Sequence, residues 1–187
     1  ADAVAQGIAY LSEDRKHFGL VTGMSVRDNV TMASWRRFLS GGLFMQDDAL
    51  GRVAEDYVRK LKVKTPHIHQ ETRLLSGGNQ QKVVIAKWLL NRPRVILLSD
   101  PTRGIDVGTK QEIYMLLRKL AADGAAVLLY STDYAELIGC CDRVAVFYDG
   151  RIVRWLAGAE LTEHALVASA LNLDTGAVQA PATQAVH

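Results

Sequence analysis

The chain has 187 residues, and 49% of them are hydrophobic, which is enough for one domain with a sizeable core. Its 22 basic and 20 acidic residues give a net charge of +2, and this near-neutral balance provides no electrostatic basis for nucleic-acid binding. No signal peptide opens the sequence, and no apolar run approaches the roughly 18–20 residues that cross a bilayer. We therefore expect a soluble, cytosolic protein that acts at a membrane only through a partner.

The first part of the chain predicts a strand followed by two helices. Ser25 is the expected N-cap of the first of these helices, because its side chain can accept from the N–H groups of the first turn. Gly41 and Gly42 indicate a turn between the two helices, since glycine permits unusual backbone angles. The predicted elements are a strand at 7–13, helices at 24–38 and 47–63, and an irregular connector at 64–75.

The second part alternates helices with continuously apolar runs. The runs at 94–100 and 125–132 are typical of parallel strands that are buried on both faces. The other predicted elements are helices at about 78–91, 107–124, 133–141 and 162–173, and a hairpin that turns at Asp149-Gly150.

Buried strands that alternate with helices predict an α/β fold with a parallel sheet. Ligands of such sheets bind beyond the carboxyl ends of the strands. The segments "SDPTRGID" (99–106) and "YSTD" (130–133) both follow predicted strands. We therefore expect functional residues in these two segments.

A Ser-Gly-Gly turn, formed by Ser76, Gly77 and Gly78, precedes the predicted helix at 78–91. Two glycines let the backbone approach an anion closely, the serine adds a hydroxyl donor, and the helix start presents free N–H groups. The turn therefore suits a phosphate. Taken alone the motif is a weak signal that favours a simple N-cap turn, and the chain contains no G-x-x-x-x-G-K-[ST] phosphate loop.

The wider segment "LLSGGNQQKVVIAKWLLNRPRVILLSDPTRGID" resembles the region from the signature motif to the D-loop in ATP-binding cassette (ABC) ATPases. The form "SGGNQQK" is similar to the branch that serves ribose-, xylose-, arabinose- and galactose-type importers. "GIAYLSEDRKHFGLVTGMSVRDNV" further resembles the second of the two fused ATPase domains of those proteins. The resemblance covers roughly residues 5–172.

This resemblance implies a P-loop NTPase-like α/β cassette with a parallel sheet and a helical subdomain at about 14–91. It implies a partial nucleotide-binding domain over 1–172, whose phosphate-loop part lies upstream of this chain, and we expect a disordered tail at 173–187. The implied cofactors are ATP and Mg²⁺. The residues that would contact, in trans, ATP held by a partner domain are Ser76, Gly77, Gly78, Asn79 and Gln80.

At the end of its Walker B strand the family has Asp-Glu, which holds the magnesium shell and polarises the attacking water. Here the matching pair is Ser99-Asp100. Serine is a weaker partner than a carboxylate for magnesium-bound water, and Asp100 is one methylene shorter than glutamate. Either Asp100 takes over a catalytic role with weak, water-mediated Mg²⁺ binding, or the site hydrolyses ATP poorly. A purely structural role for Asp100, as the cap of the Pro101 turn, is the alternative.

Three further positions are assigned by the resemblance. Asp106 matches the D-loop that bridges two nucleotide sites, and it also fits an N-cap of the next helix. Glu13 stands at the Q-loop position, and Thr132 stands where the family often has its switch histidine. Second domains of this branch commonly lack that histidine, so Thr132 supports the assignment and weakens the case for catalysis.

The leading hypothesis is therefore the ATP-hydrolysing subunit of an ABC sugar importer, peripheral at the cytoplasmic face of the membrane. Its implied partners are a second nucleotide-binding domain, the membrane permease subunits and, indirectly, a periplasmic sugar-binding protein, with no nucleic acid. The isolated chain is expected to be inactive. The alternative is a degenerate, non-catalytic cassette half with a regulatory or structural role, which Ser99 and Thr132 favour. His67 and His69 are interpreted as solvated loop residues rather than metal ligands, because no cysteine or third histidine lies near them in the sequence.

Overall fold

The computed structural model describes residues 2–40 and 44–173, and it divides the chain into two compact units after Tyr130. The helices are α1 (Asp2–Ala5), α2 (Val26–Thr31), α3 (Asp47–Lys60), α4 (Gly77–Leu89), α5 (Val107–Ala122), α6 (Tyr134–Cys140) and α7 (Glu163–Ala170). The strands are β1 (Ile8–Leu11), β2 (Leu39–Ser40), β3 (Phe44–Met45), β4 (Val95–Ser99), β5 (Ala126–Tyr130), β6 (Arg143–Tyr148) and β7 (Arg151–Ala157).

The first unit contains a parallel sheet with the strand order β1-β4-β5. In its register Tyr10 pairs with Leu97, and Leu97 with Leu128. The parallel pairing and the helices between the strands confirm the predicted α/β class. The carboxyl ends of all three strands therefore lie at the same edge of the sheet, and the segments that follow the strands begin there.

One face of this sheet is buried and the other is open. Alternate side chains of β1 and β4, such as Leu11, Ile96 and Leu98, lie in a core shared with α2, α4 and α5. Side chains on the opposite face are exposed, with Leu128 at 67% and Tyr130 at 61%. The prediction that strand 125–132 is buried on both faces is wrong for these residues, because β5 is an outer strand covered on one side.

The first predicted helix is shorter than the sequence pattern indicated. Ser25 is its N-cap, as predicted, and accepts from the Asp28 N–H at 3.0 Å. The helix ends at Thr31 and continues as a 3₁₀ helix over Met32–Phe38. The Thr31 hydroxyl donates to the Arg27 carbonyl at 2.8 Å, and such back-bonding competes with regular helix geometry.

The flanks of the predicted glycine turn pair as the short antiparallel strands β2 and β3. Gly41 and Gly42 themselves lie outside the described residues, and so does the predicted tail from residue 174 onward. Within the described ranges, no helix combines the length and apolar character needed to cross a membrane.

The second unit contains the antiparallel pair β6 and β7 together with α6 and α7. Asp149 and Gly150 have φ angles of 47° and 72°, as a two-residue hairpin turn requires, so the predicted hairpin is confirmed. Helix α7 starts at the predicted place, and its N-cap Thr162 accepts from the Ala165 N–H at 3.2 Å.

Candidate functional site

The loop that follows β4, residues 100–106, is held tightly at the end of the sheet. We call it the post-β4 loop. Asp100 is 6% exposed, and its N–H donates to the Tyr130 carbonyl at 2.8 Å. Its φ angle of 40° lies in the left-handed region, which non-glycine residues seldom adopt and which is often found at functional sites. The Arg103 N–H donates to the Asp100 carbonyl at 3.1 Å and closes a turn.

Glu13 lies beside this loop. Its Oε2 accepts from Arg103 Nη1 at 2.9 Å, so the segment after β1 and the segment after β4 meet. Both side chains are largely exposed, at 48% and 70%, and such surface ion pairs add little to stability. The structure therefore brings Glu13, the predicted Q-loop position, next to the post-β4 loop.

The Ser-Gly-Gly turn forms the start of α4. Ser76 occupies the N-cap position, but its side chain makes no capping hydrogen bond. Instead its exposed hydroxyl accepts from Asn79 Nδ2 at 2.9 Å, while Asn79 Oδ1 accepts from the Lys64 N–H at 2.8 Å. The simple N-cap interpretation is therefore correct in that Ser76 is the N-cap residue of α4, but wrong in that its side chain does not cap the helix. The N–H groups in the first turn of a helix have no intrahelical partners. In α4 the exposed Ser76 hydroxyl leaves these groups uncapped.

The two glycines of the turn leave space that the protein's own side chains fill. A Cβ at Gly77 would lie 2.6 Å from Arg15 Nη2, and one at Gly78 would lie 2.7 Å from Thr109 Cγ2. The sequence pattern assigned both glycines to the close approach of an anion. The structure adds a second reason, because each glycine also admits a side chain from another segment.

Gln80 joins the turn to the connector that precedes it. It is 4% exposed, and its Nε2 donates to the Thr72 carbonyl at 3.1 Å. Thr72 is fully buried and lies beside Asn29, whose amide accepts from the Val21 N–H at 2.8 Å and donates to the Val21 carbonyl at 3.0 Å. A buried polar chain thus runs from the first turn of α4 to the loop before α2.

Asp106 caps α5. Its Oδ1 accepts from the Thr109 N–H and its Oδ2 from the Thr109 hydroxyl, both at 2.9 Å. The Thr109 backbone hydrogen bond is the main cause that holds the pKa of Asp106 below its ordinary value. The N-cap interpretation of Asp106 is confirmed. Because Thr109 also packs against Gly78, the cap of α5 and the Ser-Gly-Gly turn are in contact.

Two buried lysines of α4 bond to the elements on either side of it. Lys82 pairs with Glu112 of α5, and this bond is the main cause that lowers the pKa of Glu112. Lys87 donates to the Gly19 carbonyl at the end of a π-helical turn, Arg15–Gly19, and burial lowers the pKa of its ammonium group. The orientation of α4 is therefore fixed on both sides.

An open cavity of about 370 Å³ lies beside the post-β4 loop. Its lining residues are Glu13, Asp14, Arg15, Lys16 and Arg103. Arg15 Nη1 donates to the Arg103 carbonyl at 3.0 Å. Sequence analysis overlooked Arg15 and Thr109, because no short motif shows which side chain will reach a glycine from another segment.

Thr132 belongs to the second unit and follows the last residue of β5 by two positions. Among the described residues no group of three or more His, Cys, Asp or Glu side chains could hold a metal ion. The His67 and His69 rings lie 6.5 Å apart. The residues whose chemistry fits a phosphate best are those of the Ser-Gly-Gly turn, where the N–H groups of the first helical turn lie beside the exposed Ser76 hydroxyl.

A family profile described as ABC transporter matches residues 1–103, more than half of the chain. The chain belongs to the ABC transporter family. The matched residues include the Ser-Gly-Gly turn and the Ser99-Asp100 pair. The family predicted from the "LLSGGNQQK" segment is thereby confirmed.

The chain is 58% identical over 174 residues to a ribose import ATP-binding protein of Rhizobium johnstonii. This match covers 92% of the chain and 34% of the relative, so the chain spans about a third of the length of the curated relatives it matches. The fold is that of solved ABC cassettes. A nucleotide-free ATP-binding cassette from an ABC transporter superposes with a TM-score of 0.71 and 20% identity, covering 89% of this chain and 67% of that one.

A second solved structure is a dimeric ATP-binding cassette in a post-hydrolysis state, bound to ADP and phosphate. It superposes with a TM-score of 0.66 and 24% identity, covering 83% of this chain and 66% of that one. Both neighbours confirm the predicted P-loop NTPase-like α/β fold.

Proposed function

We propose that this chain is part of the ATP-binding subunit of an ABC-type sugar importer, which couples ATP hydrolysis to sugar uptake. The observation that carries the proposal is the contact between the Ser-Gly-Gly turn and the cap of α5, through Gly78 and Thr109. Through this contact the start of α4, whose free N–H groups suit an anion, lies beside the loop that ends in Asp106. The 58% identity to a ribose import ATP-binding protein supports sugar as the transported class.

The Ser-Gly-Gly turn acts on ATP that is bound by a partner cassette. Ser76 and the N–H groups of Gly77 and Gly78 contact the terminal phosphate, because the helix start favours negative charge and the serine hydroxyl is exposed. Asn79 holds the serine oxygen, and Gln80 fixes the helix start from its buried side. The dimeric arrangement of a solved cassette neighbour supports a partner domain.

Asp100 is the catalytic carboxylate of this proposal and also the water-mediated ligand of Mg²⁺. It is buried at the end of β4, next to Ser99, whose hydroxyl can only weakly support a magnesium-bound water. Mg²⁺ held there would neutralise phosphate charge. Glu13 and Thr132 occupy the Q-loop and switch positions, and Asp106 contacts the partner cassette through the D-loop.

The membrane partners follow from the same proposal. The permease subunits bind the helical subdomain, about 14–91, and a periplasmic sugar-binding protein delivers the sugar to them. The chain therefore acts at the cytoplasmic face of the membrane as a peripheral subunit.

The test is MgATP hydrolysis by the complete importer, purified with its membrane subunits, carrying Asp100→Asn. Turnover falls by at least about 100-fold if Asp100 acts as the general base. Asp149→Asn is the matched control, because Asp149 has a similar left-handed backbone, with φ of 47°, in an exposed hairpin turn. Unchanged turnover in Asp100→Asn would remove the catalytic role of Asp100.

A degenerate, non-catalytic cassette half is the second candidate, and Ser99 and Thr132 favour it because neither can supply a carboxylate or an imidazole. In that case Asp100→Asn leaves turnover unchanged, while Ser76→Arg still abolishes transport, because the arginine fills the phosphate-binding surface of the partner's site. Loss in both variants supports the catalytic assignment.

A further inference from the structure

The guanidinium group of Arg15 lies where three segments meet. Its backbone belongs to the π-helical turn after β1, its Nη1 donates to the Arg103 carbonyl at 3.0 Å, and its Nη2 fills the space beside Gly77. The Gly104 carbonyl lies 3.4 Å from the same Cβ position. Arg15 therefore spans the gap between the Ser-Gly-Gly turn and the post-β4 loop.

The π-helical turn that carries Arg15 packs on α4. At the end of the π-helical turn, Gly19 packs so closely on α4 that a Cβ there would lie 3.0 Å from Val84. The Gly19 carbonyl accepts from the buried Lys87 ammonium group. The segment that carries Arg15 is thus attached to the same helix whose first turn Arg15 touches.

The charge of Arg15 has no carboxylate partner within the described ranges. Glu13 pairs with Arg103 at 2.9 Å, and Asp14 pairs with His17 at 2.7 Å. Arg15 Nε is buried and makes no hydrogen bond to the described residues. A cation beside a helix N-terminus is electrostatically unfavourable, so stability alone does not explain an arginine at this position.

We propose that Arg15 is a positioning residue, which sets the separation between the Ser-Gly-Gly turn and the post-β4 loop. The expected effect of Arg15 on ATP turnover rests on the proposed function. The contact of Arg15 with Gly77 does not depend on that function. Arg15 acts through the turn, and the residues that touch the phosphate remain Ser76 and the N–H groups behind it.

The first experiment measures MgATP hydrolysis by the complete importer with Arg15→Gln, Arg15→Lys and, as the control, Lys119→Gln. Lys119 is an exposed cation in the last turn of α5, outside the candidate site, and pairs with Asp123. Arg15→Gln lowers kcat about tenfold, as expected when the catalytic groups are misplaced, with KM changed less than about threefold because the turn does not hold the nucleotide on its own. The Lys119→Gln variant keeps both constants.

Arg15→Lys separates charge from geometry. Lysine keeps the positive charge but lacks the forked group that reaches Arg103 and Gly77 together, so kcat stays as low as in Arg15→Gln. Full recovery by lysine would show that only charge matters and would overturn the positioning role. A change in KM alone would overturn it as well.

The second experiment is a double-mutant cycle on Arg15 and Gly77, read in the full chain by hydrogen exchange of the Gln80 amide, which donates to the Ser76 carbonyl at 2.9 Å. Gly77→Ala displaces Arg15 Nη2, so Gly77→Ala and Arg15→Gln each speed exchange about tenfold, and the double variant is no faster than either alone. Additive effects, or no effect of Arg15→Gln, would overturn the coupling.

The two experiments distinguish a failure of the proposed function from a failure of the role of Arg15. An importer without ATP hydrolysis would remove the proposed function and leave the exchange cycle valid. Additive exchange effects in an active importer would remove the role of Arg15 and leave the proposed function intact.

Discussion

At the scale of single residues, the candidate site uses the same atoms for folding and for function. Asp106 caps α5 through two bonds to Thr109, and it is also the proposed D-loop contact. Gly78 leaves room for the Thr109 side chain, and it is also part of the turn proposed to bind phosphate. Substitutions here must therefore be chosen so that capping and function change separately.

Comparing Asp106→Asn with Asp106→Ala separates the capping role of Asp106 from its proposed D-loop role. Asparagine is a good N-cap and alanine is not, so Asp106→Asn keeps the unfolding midpoint at pH 7 and Asp106→Ala lowers it. The lowered pKa of Asp106 means that its carboxylate contributes stability above its unfolded-state pKa, and that this contribution is lost as pH falls below about 4. Urea unfolding between pH 6 and pH 3 measures this.

The wild-type chain should lose stability more steeply than Asp106→Asn over that range, because the asparagine does not titrate. Parallel pH profiles of the two proteins would contradict the assigned cause of the pKa shift. If the D-loop role is correct, Asp106→Asn also lowers ATP turnover in the importer while its unfolding midpoint at pH 7 is unchanged.

At the scale of elements, α4 is the centre of the first unit. It packs on α5 through Gly78 and Lys82, and on the π-helical turn through Gly19 and Lys87. Its middle residues, including Val83, Val84 and Ala86, are almost completely buried. A helix fixed on several sides can place its first turn with the accuracy that phosphate binding demands.

The close contact of α4 with α5 gives a direct test. Gly78→Ala would bring a Cβ to 2.7 Å from Thr109 Cγ2 and 3.1 Å from Thr109 Cβ, and Asp106 holds Thr109 in place. We expect a loss of about 1–3 kcal/mol in the free energy of unfolding. Gly77→Ala meets chiefly the far end of the long Arg15 side chain, which can be displaced without moving the backbone, so its change should stay within about 0.5 kcal/mol.

Denaturant unfolding of both alanine variants measures the contrast. A Thr109→Ser background removes Cγ2 and keeps the hydroxyl, so it should recover part of the loss in Gly78→Ala and none in Gly77→Ala. Equal losses in the two glycine variants would show that the helix contact is looser than the structure describes.

At the scale of the whole molecule, the parallel sheet has one open apolar face. Tyr10, Leu128 and Tyr130 project from it with exposures of 55%, 67% and 61%. Exposed apolar surface of this kind promotes association. We therefore expect the chain on its own to self-associate.

Leu128→Lys should raise the dissociation constant for self-association at least about tenfold, because one buried leucine contributes roughly 1.5–3 kcal/mol. Sedimentation velocity over a concentration series measures it. Leu171→Lys is the control, since Leu171 is also an exposed leucine, at 60%, but follows α7 in the second unit and is not part of the sheet. An equal effect of both substitutions, or a monomeric wild-type chain, would contradict the prediction.

The sequence by itself determined the family, the α/β class, and the local starts and turns. Ser25, Asp106 and Thr162 are N-caps, and Asp149-Gly150 forms the hairpin turn, because each depends on a few neighbouring residues. The positions of the Ser-Gly-Gly turn and of Asp100 at the ends of their elements were also predictable. The roles of Asp100, Glu13 and Thr132 remain predictions.

Only the tertiary structure decided which side chains meet across the fold. It placed Arg15 beside Gly77, Thr109 beside Gly78, and Thr72 between Asn29 and Gln80. It also showed that β5 is covered on one face, although its sequence is apolar throughout. The physical reason is that capping and periodicity are local, whereas most of these contacts join residues that are tens of positions apart and form only when the sheet and helices pack.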